Sequence, residues 1–269
     1  MTIFKALTVA GSDTSGGAGL QADLKTFQEL GVYGMTALTV VVAQNPANNW
    51  SHDIFPLPLA ALEAQLETVL AGIGVDALKT GMLATTEVIE LVARKIDQYH
   101  VKNIVIDPVM ACKGTDEVLH PETTVSIREL LAPRATVITP NLFEASQLSG
   151  IRQLRSLEDL KAAAVEIHKL GPKNVLIKGG AKLSTPEAID LLYDGKEFTV
   201  LSTPKITTQY THGAGCTCAA AITAGLAKGL SAREAVQLAK DFTAAAIRHS
   251  FPLNKYVGPT YHAAHRLAK

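Results

Sequence analysis

The chain has 269 residues, 47% apolar and 19% charged, enough to bury the core of one domain or two. Lysine plus arginine balance aspartate plus glutamate at 25 each, which removes the electrostatic footprint of a nucleic-acid binder or an anionic-membrane binder. Three cysteines without framework spacing imply a reducing, cytoplasmic setting, and neither a signal-peptide core nor an apolar run of about 18 residues occurs.

The first predicted strand, residues 6–10, runs into the loop GSDTSGGAG, after which Leu20, Leu24, Phe27 and Leu30 recur at helical spacing. A loop between the carboxyl end of a parallel strand and a helix is where α/β folds hold ligands. Gly16, Gly17 and Gly19 miss the dinucleotide-binding spacing, and no G-x-x-x-x-G-K-[ST] occurs, so a nicotinamide oxidoreductase lacks its loop. Asp13 has two readings, an acceptor for a ligand hydroxyl or the acceptor that closes its own turn. A β-forming run over 36–43 ends at Gln44, whose amide both donates and accepts and so suits the edge of a heteroaromatic ring. The polar segment NNWSHD reads as loop, with Trp50 and His52 in a flap over the site or in an anchored surface loop. An amphipathic helix is expected over 58–73.

A strand over 76–82, a helix over 85–99 and a strand over 103–106 come next. The last ends in Asp107-Pro108, where the acid either meets a metal or phosphate or stabilises the turn before the proline. Cys112 follows in a glycine-containing loop and is reactive or inert on these grounds alone. The strand 136–139 leads to Asn141 and Glu144, which share a helix face. They form either a ligand-facing pair or, the better account of this segment by itself, an N-cap with an acidic first turn. A helix over 157–170 precedes the strand 174–178. Its end, Lys178-Gly179-Gly180, fits a polyphosphate or an ordinary solvated lysine before a turn. Residues 188–193 and 197–201, joined around Asp194-Gly195, read as an antiparallel hairpin.

THGAGCTCAAAITAGLAK, residues 211–228, joins a glycine turn to a small-residue helix. Gly213 and Gly215 let the backbone turn tightly and present amide N–H groups, to which the helix adds its unpaired N–H groups and partial positive charge, an anion cradle. Cys216 falls in the first turn, where a helix N-terminus is expected to lower the thiol pKa and leave a thiolate as base or nucleophile. Cys218 turns away into the alanines and is expected in the core. A helix over 231–249 and a short one after Pro259 complete the chain. The alternation predicts a single domain, 1–269, of α/β class: a doubly wound, mostly parallel sheet with helices on both faces and an antiparallel edge hairpin.

GSDTSGGAGLQADLKTF, DPVM, TPNLFE, IKGG and THGAGC, in this order, resemble the ribokinase superfamily, and within it the hydroxymethylpyrimidine kinases and the related pyridoxal kinases. The resemblance spans nearly the whole chain. It implies a ribokinase-like, Mg²⁺-dependent kinase that moves the γ-phosphate of ATP to a hydroxymethyl group on a pyrimidine or pyridine ring, in a family where homodimers are common. It further implies Asn141 and Glu144 as contacts to Mg²⁺ and phosphate, with Asp107 beside them at the metal. Lys178, Gly179 and Gly180 match ATP contacts, and Gly213, Ala214, Gly215 and Cys216 match the anion hole. Asp190 and Lys240 match positions lining the nucleotide, and Gly11, Asp13, Gln44 and Met82, with His52 nearby, match the substrate pocket. Cys216 departs from the aspartate base of ribokinases proper and agrees with the pyrimidine kinases.

Gln44-Asn45 resembles the pyrimidine kinases, whereas Cys112-Lys113-Gly114, Trp50-Ser51-His52-Asp53 and the GAG sequence of the hole resemble the pyridoxal branch. A second thiol also has a use toward pyridoxal, because a thiolate adds reversibly to an aldehyde. Pyridoxal is therefore the favoured substrate and hydroxymethylpyrimidine the alternative. In this scheme Cys216, or Asp107 through water, takes the hydroxyl proton and His212 tunes the thiolate. A non-catalytic thiol sensor or vitamin-binding module is the remaining alternative, disfavoured by Asn141, Glu144 and the cradle together.

Overall fold

The buried apolar runs of the sequence become the short middle strands of one sheet in the computed structural model, which describes residues 2–110 and 121–267. In chain order the elements are β1 (Lys5–Asp13), α1 (Gly19–Glu29), β2 (Tyr33–Asn45), β3 (Ser51–Pro56), α2 (Leu59–Leu70), β4 (Ala77–Thr80), α3 (Thr86–Gln98) and β5 (Ile104–Ile106). Then come α4 (Pro121–Ser126) with a π turn (Ile127–Leu131) and a 3-10 turn (Ala132–Arg134), β6 (Val137–Ile138), α5 (Leu142–Ser149), α6 (Leu157–His168) and β7 (Val175–Gly180). The chain continues through β8 (Glu187–Tyr193), β9 (Phe198–Pro204), α7 (Ala214–Ala227), α8 (Ala232–Arg248) and α9 (Ala264–Leu267).

The sheet order is β3-β2-β1-β4-β5-β6-β7-β8-β9. Strands β2, β1, β4, β5, β6 and β7 run parallel, while β3 at one edge and β8 and β9 at the other pair antiparallel. The expected hairpin is present as β8 and β9. NNWSHD is a correction: its second half begins β3, paired to β2 in the register Gln44↔His52. The edge position explains why the sequence hides it, since β3 makes one ladder only and none of its residues is fully buried. Trp50, just before it, has φ +63° and stacks on Tyr256 at 6.0 Å between ring centres, so the turn is anchored. The helical stretch from Pro121 to Arg134 had no counterpart among the sequence expectations.

Side chains alternate between two cores, one on each face of the sheet. Leu7, Ile104 and Ile106 point to the core shared with α2, α3, α5 and α6, and Ala6, Val105 and Val137 to the core under α1, α7 and α8. Helix α7 is buried along its length from Thr217, and its small residues permit that: a Cβ on Gly225 would come within 2.8 Å of Ala235 on α8. Strand β1 feeds β2 on one side while β4 returns on its other, so the strand order reverses between β1 and β4, where open α/β sheets bind ligands.

Two charges lie under that switch point. Lys79 of β4 and Asp23 of α1 are both fully buried, 3.0 Å apart, and the Thr8 hydroxyl donates to Asp23 at 2.6 Å. A buried pair stabilises little by itself, but removing one partner strands the other charge at about 3–5 kcal/mol. Lys79→Met should therefore cost about 3–5 kcal/mol in urea denaturation, and Asp23→Asn added to it should restore most of the loss. A cost of the single variant under about 1 kcal/mol would contradict the buried pair.

Candidate active site

The first loop is built around Asp13, at the end of β1. Its Oδ1 accepts from the Ser15 backbone at 2.9 Å and from Gln44 Nε2 at 2.6 Å, and its Oδ2 accepts from Ala18 N at 2.7 Å and faces His212 Nε2 at 2.7 Å. Burial alone would raise this carboxyl, but the hydrogen bonds from His212, Ser15 and Gln44 outweigh it and hold the pKa well below the usual carboxylate range. Asp13 thus closes its own turn and ties in the chain 199 residues on; its lone pairs are already taken. Two expectations need correcting here. His212 engages Asp13 rather than tuning the Cys216 thiol, and the Gln44 donor is spent on Asp13, which leaves the amide oxygen as its end without a protein partner among the described residues. Gly11 lies behind, where a Cβ would meet Val40 at 2.8 Å and Met82 at 3.8 Å.

The glycine turn ahead of α7 presses against this loop. Gly213 has φ +81°, and a Cβ there would stand 1.7 Å from the Gly17 carbonyl oxygen. No side chain caps α7. Ala214 N–H reaches Thr211 O and Thr217 N–H reaches Gly213 O, while the N–H groups of Gly215 and Cys216 find no backbone acceptor among the described residues. Residues 213–216 keep partial exposure, so these donors open outward. The glycine turn and open amides expected from the sequence are therefore in place at the start of α7.

Cys216 also departs from the expectation of a lowered thiol pKa. The Lys79 ammonium, the N-terminus of α7 and the Gly19 backbone amide favour a thiolate there. Burial nonetheless dominates, helped by Asp23 and Asp107, and pushes the thiol up to about 11. Cys218 lies in the core as expected, its thiol pushed up to about 12 by burial.

Across the cradle, Lys178 at the end of β7 pairs with Asp107 at the end of β5, Nζ to Oδ1 2.9 Å, and both are largely buried. The Thr139 hydroxyl donates to the same oxygen at 3.2 Å. Burial works against both charges. The Lys178 and Lys79 ammonium groups keep the Asp107 carboxyl low, and Asp107 and Glu144 hold the Lys178 pKa above its ordinary value. A Cβ on Gly215 would come within 3.5 Å of Lys178 Nζ, so the ammonium sits beside the open amides. Asn141 and Glu144 form the N-cap that the segment favoured, in a reciprocal capping box: Glu144 N–H to Asn141 Oδ1 at 3.0 Å and Asn141 N–H to Glu144 Oε2 at 2.8 Å. Burial raises Glu144 to about 7, with Asp107 adding and Lys178 opposing.

Gly179 is held close, since a Cβ would stand 2.5 Å from Ile189 O, and Gly180 at φ +54° donates its N–H to Asp190 at 3.0 Å. Asp190 pairs with Lys240 of α8 at 2.7 Å, behind these glycines. Between the ends of β4 and β5 a cavity of about 320 Å³ is lined by Met82, Asp107 and Met110 among others. His52 stands opposite Gln44 at the sheet edge. The expectations for Cys112, Lys113 and Gly114 fall outside the described residues. Lys79 and Asp23 were not among the residues expected at the site, although Asp23 interrupts the apolar stripe of α1 and Lys79 sits within an apolar strand.

Known proteins match this chain in sequence and in fold. The family model described as phosphomethylpyrimidine kinase fits residues 13–261. The chain belongs to the phosphomethylpyrimidine kinase family. Among its members, pyridoxine kinase of Bacillus subtilis strain 168 is 60% identical over 99% of this chain and 98% of its own. The hydroxymethylpyrimidine/phosphomethylpyrimidine kinase of the same organism is 46% identical over 98% and 96%. The solved pyridoxal kinase of Staphylococcus aureus in complex with AMP-PCP and pyridoxal superposes with a TM-score of 0.93, at 50% identity over 98% of this chain and 95% of that one.

Gly213→Ala in this family member would carry a positive φ at a cost of about 1–2 kcal/mol and push the two loops apart. The expected result is a lower Tm, with ADP raising the Tm of the unaltered chain and not that of the variant. An ADP response equal to that of the unaltered chain would contradict the cradle.

Proposed function

We propose that this chain transfers the γ-phosphate of ATP to the hydroxymethyl group of pyridoxal, and of pyridoxine or pyridoxamine, giving the 5′-phosphate and ADP. The observation that carries this reading is the pair of amides, Gly215 and Cys216, that find no backbone acceptor among the described residues and open beside the Lys178 ammonium. Oriented N–H groups and a fixed cation stabilise charge that grows on a transferring phosphoryl group. The 60% identity to a pyridoxine kinase against 46% to a hydroxymethylpyrimidine kinase supports the pyridine ring. A pyrimidine ring remains the second reading, favoured by the acceptor of Gln44, which matches a ring amino group. A thiol sensor fits poorly, since it leaves the amides of Gly215 and Cys216, and the Lys178–Asp107 pair beside them, without a use.

In the reaction the hydroxymethyl oxygen forms a bond to the γ-phosphorus as the bond to the bridging oxygen of ADP breaks, and the hydroxyl proton leaves. Lys178 and the amides of Gly215 and Cys216 hold the phosphoryl oxygens, and the Asp13 loop with Met82 and Gln44 places the ring. Asp107 and Glu144 suit Mg²⁺: the described residues hold no cluster of three or more His, Cys, Asp or Glu side chains, and Mg²⁺ commonly takes one or two carboxylates with phosphate and water. Bound there it would neutralise phosphate charge. Asp190 and Lys240 steady the glycines beneath the nucleotide. The proton goes to Cys216 as its thiolate, or through water to Asp107. One domain over 1–269 performs this, as a homodimer in the cytoplasm. Among the described residues no helix is long and apolar enough to cross a membrane.

ADP release from Mg-ATP, followed with pyridoxal and with hydroxymethylpyrimidine, tests the reading. Pyridoxal should give the higher kcat/KM, and no ADP above background with pyridoxal would reject it. If the Cys216 thiolate is the base, Cys216→Ala should lower kcat by roughly 10²- to 10⁴-fold while ADP affinity survives. With the thiol at about 11, the thiolate fraction climbs through pH 7–9, so the advantage of the unaltered chain over Cys216→Ala should widen with pH. A constant ratio would remove the thiolate from the proton path.

A further inference from the structure

The last segment of the chain is stitched to the turn that carries the cradle. His212 pairs with Pro259 as a parallel bridge: His212 N–H donates to Gly258 O at 3.1 Å, and Thr260 N–H donates to His212 O at 3.1 Å. One turn into α7, the Thr217 hydroxyl lies 2.8 Å from Gly213 O and 3.0 Å from His262 Nε2, with the Thr260 hydroxyl at 3.4 Å. Thr217, Thr260 and His262 are all buried. The carbonyl of Gly213 can only accept, so the single hydroxyl proton of Thr217 goes there and His262 must donate from Nε2. Burial and the Lys25 charge, against Glu29, push His262 down to about 4, which keeps it the neutral donor this chain of bonds requires.

Gly213 is the residue whose backbone aims the next amides. Its carbonyl accepts from both the Thr217 N–H and the Thr217 hydroxyl, while its α-carbon is packed on the Gly17 carbonyl. Both sides of the turn are thereby fixed, one by the first loop and the other by His262.

We propose that His262 is a positioning residue for phosphoryl transfer: through Thr217 it fixes the Gly213 peptide and so the direction of the Gly215 and Cys216 N–H groups. The inference rests on the cradle serving a phosphoryl group. His262 touches neither the ring pocket nor the reacting atoms, so its loss acts on turnover and leaves ring binding alone.

The test compares the full chain with His262→Ala, His262→Gln and Thr217→Val, measuring kcat, KM for Mg-ATP and for the ring substrate, and Tm. Glutamine keeps a donor near the Nε2 position; alanine and valine remove one end of the bond. Misaimed donors cost rate steeply, so kcat should fall roughly tenfold in His262→Ala and in Thr217→Val, with KM for the ring substrate within about twofold. His262→Gln should recover most of that kcat. Should His262→Ala prove insoluble, Thr217→Val against His262→Gln carries the same comparison. Unchanged kcat in folded His262→Ala or Thr217→Val overturns the proposal, and so does a fall in His262→Gln equal to that in His262→Ala. The unaltered chain decides separately which ring is phosphorylated, and the variant ratios are read on that ring.

Discussion

The first turn of α7 leaves the N–H groups of Gly215 and Cys216 without a backbone acceptor among the described residues. A helix can end this way only where a ligand or water completes it. The surroundings serve to hold the turn open. Gly213 is packed on Gly17, His212 is held by Asp13, and residues 258–262 pin the far side. The rigidity of the site thus comes from three chain segments remote in sequence meeting at one glycine.

Charge is arranged around that opening in buried pairs: Lys79 with Asp23, Lys178 with Asp107, and Lys240 with Asp190. Each lysine reaches the carboxyl rim of the sheet or the space beneath it, and each is neutralised by a carboxylate. Pairing makes burial tolerable and fixes the direction of each charge, which is what an arriving polyphosphate meets. The same burial controls the cysteine. The N-terminus of α7 was expected to lower the thiol, yet desolvation is the larger effect and pushes Cys216 up to about 11.

Much of this was legible in the sequence because parallel α/β folds write plainly: buried strands are continuous apolar runs, and chemistry gathers at their ends. Asp107, Lys178 and the cradle of 213–216 were found by position at strand ends or a helix start. Asn141 and Glu144 were legible as a cap, which is what the structure shows them forming. What stayed hidden depended on contacts distant in sequence. His212 has Asp13 as partner 199 positions away, and nothing local separates that role from tuning the adjacent thiol. Strand β3 was hidden because an edge strand with half-exposed polar residues lacks the alternation that marks a strand. Lys79 and Asp23 were visible only as charges in apolar patterns, and their meaning required knowing that they face each other.

A crystal structure of this chain with a nonhydrolysable ATP analogue and the ring substrate addresses the central claim most directly. The terminal phosphate is expected within about 3 Å of the Gly215 and Cys216 nitrogens, with Lys178 on the same oxygens. A terminal phosphate bound elsewhere, with those two amides facing only water, would contradict it.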